Sequence, residues 1–176
     1  MSSPTSTSRR NLLAAAGIAA VSAARPALAG KDKRARLLGV VKSLIATWND
    51  GHDIEGVLNH VTEDVVYHMT SGYKPALSGK AAILATLQTM RPAIQTSAWR
   101  LFDSAESGDR LFVEGVDEFW TTSGNHVVIP YAGVFQFRGL LIYEWREYYD
   151  GRIGAEMRSG APLTDELKAL MSRPAI

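Results

Sequence analysis

The stretch RLFVEGVDEFWT, residues 110–121, decides the fold; it is followed by HVVIPYAGVFQFR at 126–138 and LLIYEWREYYD at 140–150. All three runs are rich in β-branched and aromatic residues and are bounded by turn chemistry: Ser107-Gly108-Asp109, Ser123-Gly124-Asn125 and Gly139. With a further run from Thr96 to Ser104 they predict four strands, most simply an antiparallel meander. Side chains of a strand alternate between faces. In 110–121 one face carries Leu111, Val113, Gly115, Asp117 and Phe119. The other carries Phe112, Glu114, Val116, Glu118 and Trp120, and its two charges make it the expected exposed side. Asp117 is then a lone acid among apolar neighbours. In 140–150 the face Tyr143, Trp145, Glu147 and Tyr149 isolates Glu147 among aromatics in the same way.

Burying a carboxylate without a partner costs several kcal/mol or forces it neutral, so two such acids in one small domain point to a pocket. The bland alternative is that an arginine or tyrosine satisfies each. If both face inward, the 126–138 strand lies between them, and at ~4.8 Å per strand step their backbones stand roughly 10 Å apart. Like charges in an apolar site do not both ionise easily; one pKa rises and the pair becomes one acid and one base.

Working outward, the segment Lys33–Asn49 places Leu37, Leu38, Val41, Leu44, Ile45 and Trp48 on one helical face. Asp53 is the expected cap of a short helix from Ile54 to Val61. Val65–Met69 reads as a strand, Ser78 as the cap of a helix over Lys80–Met90 that Pro92 ends, and Asp165–Met171 as a last short helix. Helices first and strands afterwards predict an α+β domain.

At 176 residues the chain fits one domain, and 46% hydrophobic with 21% charged residues is an ordinary globular balance. There is no cysteine, which excludes disulfides, thiol catalysis and cysteine-held metals. His52, His60, His68 and His126 have no metal-site spacing, and neither a nucleophile elbow nor a glycine-rich phosphate loop occurs. No metal, cofactor or nucleic-acid partner is expected. Ser8-Arg9-Arg10-Asn11-Leu12-Leu13 opens a short, alanine-rich apolar run to Ala24, and Ala27-Leu28-Ala29 closes it as a small-residue cleavage pattern. The predicted organisation is a twin-arginine signal over residues 1–29 and a domain over 30–176, periplasmic or secreted and without a lasting membrane anchor. Three of the 19 basic residues lie in that signal, leaving 16 against 18 acidic ones in the domain.

Thr47-Trp48-Asn49-Asp50-Gly51, Val65-Val66-Tyr67, Gly133-Val134-Phe135-Gln136 and Trp145-Arg146-Glu147-Tyr148-Tyr149-Asp150 resemble the limonene-1,2-epoxide hydrolase group of the SnoaL-like, nuclear transport factor 2-like superfamily. The resemblance implies a cystatin-like curved antiparallel sheet with the N-terminal helices packed on it, a conical pocket, and a homodimer. By position it makes Asp117 the acid that protonates an epoxide oxygen, Glu147 the carboxylate that activates water and Tyr67 a holder of that water. The family's bridging arginine is replaced by Gly115, and its water-holding asparagine by Met69. Without the cation the pair can still work as Glu147 base and Asp117 proton donor through a raised pKa. Trp48, Met69, Phe119, Trp145 and Tyr149 are the expected substrate-binding residues. The expected function is cofactor-free hydrolysis of an epoxide on a small apolar molecule. An isomerase or dehydratase of the ketosteroid-isomerase kind, and a ligand-binding protein without turnover, stay open at this point.

Overall fold

The computed structural model describes residues 24–176, with side chains from residue 32 onward. Most of the predicted signal segment lies outside the described residues; from Ala24 the chain is helical through the expected cleavage point at Ala29. Helix α1 (Ala24–Asn49) buries Leu37, Val41, Leu44, Ile45 and Trp48, the stripe its periodicity foretold. Asp53 caps α2 (Ile54–Leu58) by accepting the Gly56 N–H at 2.9 Å. The helix stops short of the expected Val61, because strand β1 (Val61–His68) begins there. A two-residue strand β2 (Leu77–Ser78) precedes α3 (Lys80–Met90), so Ser78 is not the cap; Gly79, at φ 80°, takes that position. A 3-10 turn (Arg91–Ala93) leads into the sheet proper.

The expected single strand over Thr96–Ser104 is two, β3 (Ile94–Ser97) and β4 (Arg100–Ser107). Both pair with the long β5 (Arg110–Thr121). The break falls at Ala98-Trp99, where Asn49 at the end of α1 seizes the Trp99 backbone: its Nδ2 donates to the Trp99 carbonyl and its Oδ1 accepts the Trp99 N–H, both at 3.0 Å. β5, β6 (His126–Arg138) and β7 (Leu141–Tyr148) form the antiparallel meander, and β1 joins β7 in parallel. The order is β2-β1-β7-β6-β5-β3, with β4 also on β5. The parallel pair is the one departure from a plain meander, allowed by the long helical excursion between β1 and the later strands. The result is an α+β domain in which the helices pack on the concave side of a curled sheet and enclose a conical pocket.

Two features were not foreseen. After Asp150 the chain forms helix α4 (Gly151–Arg158), capped by the Asp150 carboxylate on the Arg152 N–H, before the expected α5 (Asp165–Met171). Second, the convex face of β5 is not uniformly exposed. Val116 is fully buried, and Glu118, read as solvated, is only 4% exposed. Glu118 is held by Arg100 on one oxygen and by His126 Nε2 at 2.8 Å on the other, the pairing that a buried carboxylate requires. The C-terminal segment crosses this side, with Arg173 on Glu114 and the Met171 carbonyl accepting from Arg100. Phe112 remains open, and Trp120 stacks on His126 at 4.4 Å.

Phe135, completely buried, lies against Trp145 with ring centroids 5.3 Å apart and forms the floor beneath the concave face. Phe135→Ala is expected to lower stability by about 3–5 kcal/mol. Urea unfolding should show an earlier midpoint at unchanged slope; a loss below about 1 kcal/mol would mean that this floor is not close-packed.

Candidate active site

The concave face, α1, α2 and α3 enclose a cavity of about 350 Å³. All eight residues expected at the site line it: Asp117 from β5, Glu147 and Trp145 from β7, Tyr67 from β1, Phe119 from β5, Trp48 from α1, and Met69 and Tyr149 just past β1 and β7. Alternation in β5 and β7 turns both acids inward, while Arg146 and Glu144 pair with each other on the far face of β7. The walls are aromatic: Trp145 stacks between Tyr67 at 4.2 Å and Trp99 at 5.9 Å. Tyr143 does not join them. A bulge in the β6–β7 register, between Gln136↔Glu144 and Phe137↔Ile142, makes it the extra residue and sends it under Arg138 at 5.0 Å.

The two acids are not simple neighbours across one strand. Asp117 pairs with Ile129 and Glu147 with Gly133, so their rows are offset by four residues of β6, which adds ~13 Å along the strand to the expected step across it. Curl of the sheet still brings both carboxylates into one cavity, close enough for Glu147 to sense the Asp117 charge. Burial pushes Glu147 up to about 8, with the Asp117 charge adding to it. The Tyr67 hydroxyl donates to Glu147 Oε2 at 3.0 Å and pulls in the opposite direction without winning. The Trp145 indole N–H approaches the same carboxylate but reaches no acceptor with hydrogen-bond geometry. Asp117 rises less, to about 6, because burial is opposed by the charge of Arg158. Asp117 is the more readily ionised of the two and Glu147 the more strongly held in its protonated form. This reverses the expected division, in which Glu147 was the base and Asp117 the donor. The cause is Arg158, which among the described residues is the cation that opposes the shift of Asp117 and not that of Glu147.

Three further residues join the site. Arg158 ends α4, lies exposed at the cavity rim and sits 5.3 Å over the Phe119 ring. The unforeseen helix brings it there by packing Gly154 on Ile129 so closely that a Cβ would come within 2.7 Å of the isoleucine Cδ1. The i, i+4 pair Ile153 and Met157 behind a capping Asp150 was the available signal. The other two, Tyr131 and Trp99, occupy the wall near Gly115. A Cβ on Gly115 would stand 2.3 Å from the Arg100 carbonyl and 2.9 Å from the Tyr131 ring. Backbone and tyrosine therefore leave no room for the arginine that the epoxide hydrolase pattern places here.

A family model described as "SnoaL-like domain" matches residues 41–145. The chain belongs to the SnoaL-like family. Solved structures agree on the fold of this SnoaL-like domain. A limonene-epoxide-hydrolase-like epoxide hydrolase from M. tuberculosis is 18% identical, with 72% of this chain and 92% of that one covered at a TM-score of 0.61. A putative isomerase from Bacillus subtilis is 17% identical over 75% and 99% of the two chains at 0.63. A putative polyketide cyclase from Xanthomonas campestris pv. campestris is 24% identical over 72% and 97% at 0.58. No curated protein matches the sequence. At these identities the likeness carries the fold and leaves the chemistry to the residues.

The raised acid also marks the stability curve. An unfolded glutamate ionises near 4.5, whereas the folded SnoaL-like domain holds the Glu147 proton until about 8. Between those values the unfolded chain binds fewer protons, so its population grows as pH rises. The stabilising share is complete below about 4.5 and gone above about 8. Glu147→Gln, which is neutral throughout, is expected to flatten the fall in Tm between pH 5 and 8; parallel Tm curves for the two proteins would place the acid in water instead.

Proposed function

We propose that this domain is a cofactor-free acid–base enzyme that adds water to an epoxide carried on a small apolar substrate. One observation carries the reading: two carboxylates, Asp117 and Glu147, line one aromatic cavity, and a cation opposes the raised pKa of Asp117 but not that of Glu147. Asp117, ionised beside Arg158, takes a proton from water as the water oxygen attacks a ring carbon. The carbon–oxygen bond of the epoxide breaks, and its oxygen takes the proton of Glu147, which Tyr67 holds in place. The turnover ends with Asp117 protonated and Glu147 ionised, and exchange with solvent restores the pair. These roles are the exchange of those implied by the resemblance, and they follow from where the cation sits. An apolar wall suits an uncharged substrate, since only a few polar groups are needed to orient it.

Met69 favours a second reading. It stands where a water-holding asparagine is expected, and without an attacking water the same pair can move a proton within a substrate, as an isomerase does, or take a proton from carbon while protonating a hydroxyl that leaves as water, as a dehydratase does. Export by the twin-arginine signal, a periplasmic or secreted location and a homodimer belong to the same proposal, on the strength of the N-terminal sequence and the resemblance.

Turnover of a panel of apolar epoxides by the protein tests the reading. Diol should form, with kcat/KM rising as Asp117 ionises through about 6 and falling as Glu147 loses its proton through about 8. Asp117→Asn and Glu147→Gln should each lower kcat by ~10²-fold or more. Absence of diol from every epoxide, with rearranged or dehydrated product instead, would move the function to the second reading; bound ligand with no product would leave a binding protein.

A further inference from the structure

Tyr131 lies opposite Gly115, midway along β6 between the partner of Asp117, Ile129, and the partner of Glu147, Gly133. Its ring therefore covers the strip of sheet that separates the two acids. It is 6% exposed and forms part of the cavity wall. A phenol offers one proton and accepts through its oxygen. Here the oxygen receives the Trp99 Nε1–H at 2.6 Å, and among the described residues the phenol proton goes to no acceptor. That leaves a buried donor with its proton unspent, facing the cavity between an acid and a base. Burial, then the charges of Glu147 and Asp117, holds its pKa well above that of an ordinary tyrosine, so the proton stays in place wherever the pair is active. Trp99 does not need to be recruited, because Asn49 already fixes its backbone on both sides.

We propose that the Tyr131 hydroxyl contacts the substrate oxygen between Asp117 and Glu147, as a neutral catalytic donor whose ring fills the place beside Gly115. The inference rests on the acid–base reading above and names a further member of that site. Glu147 gives up its proton to the oxygen as the ring opens; Tyr131 gives only a hydrogen bond and keeps its own. The bond strengthens as charge develops on that oxygen, so it favours the transition state over the ground state. The indole N–H on the phenol oxygen polarises the O–H further in the same direction. A neutral donor at the centre of the site fits a neutral oxygen that becomes charged only during reaction, which selects epoxides and carbonyl compounds over anionic substrates.

Tyr131→Phe keeps the ring over Gly115 and removes only the hydroxyl. On the best epoxide of the panel it should lower kcat by ~10²-fold while KM stays within ~3-fold, with both limbs of the pH profile in place. Trp99→Phe, which leaves the hydroxyl without its indole donor, should show a smaller loss in kcat. Unchanged kcat in Tyr131→Phe, alongside loss in Asp117→Asn, would make the hydroxyl mere packing and overturn the proposal with the acid–base reading intact. Should the wild type turn over no epoxide, that reading fails, and binding decides the proposal by itself. Tyr131→Phe should then weaken 4-chlorophenol by ~10-fold and leave 4-chlorotoluene, equal in shape but without the hydroxyl, unchanged. Equal effects on the two probes, or no binding of the phenol to the wild type, would overturn it.

Discussion

Removing a carboxylate from water is the constraint to which the rest of this domain answers. Three acids on two strands of one sheet meet it in three ways. Glu118, on the convex side of β5, is paired on both oxygens by Arg100 and His126 and has no capacity left for chemistry. Asp117, its neighbour in sequence and its opposite in face, has the charge of Arg158 to oppose its burial. Glu147, with no opposing cation among the described residues, is pushed further toward its protonated form, with a single hydroxyl to orient it. Satisfaction separates a structural acid from a working one, and here the two kinds sit back to back on one strand.

The aromatic wall makes that separation possible. Tyr67, Trp145 and Trp99 lie in a stacked row and Tyr131 closes one end through the Trp99 indole. These rings leave the acids only partly accessible while offering polar tips at fixed points, which is why the cavity is apolar in area but not inert. The row depends on the break between β3 and β4, and the break depends on Asn49. Had the strand continued through Ala98-Trp99, alternation alone would have fixed the indole, with no call on the end of α1. The helix terminus thus enters the site through a backbone clamp made far from the reacting groups.

Local pattern made much of this legible. The apolar stripe of α1, the Asp53 cap and the period-two alternation of residues 110–121 each depend on near neighbours, so Asp117 could be turned inward from sequence. Glu147 was legible for the same reason, although the bulge that removed Tyr143 from its face was not: a bulge is a property of two strands in register. Glu118 was misjudged because alternation reports a face and says nothing of what covers it. Tyr131 was passed over since its significance lies in a cross-strand pair with Gly115 and an indole-to-phenol bond, both non-local. Arg158 was hidden behind a helix read as loop.

The absent arginine and the exchanged roles have one physical origin. A cation lodged between the acids would stabilise both as carboxylates and hold them alike. In this chain the close approach of the Arg100 carbonyl at Gly115 forbids any side chain there, and the Tyr131 ring takes the volume. The positive charge that remains comes from α4, at the rim, and acts on the acid nearer to it. An asymmetric cation splits a pair that a central one would equalise. The same replacement that removes the expected anchor therefore leaves Asp117 the more readily ionised and Glu147 the more readily protonated of the two without any further device, and it does so with the neutral hydroxyl of Tyr131 left between them.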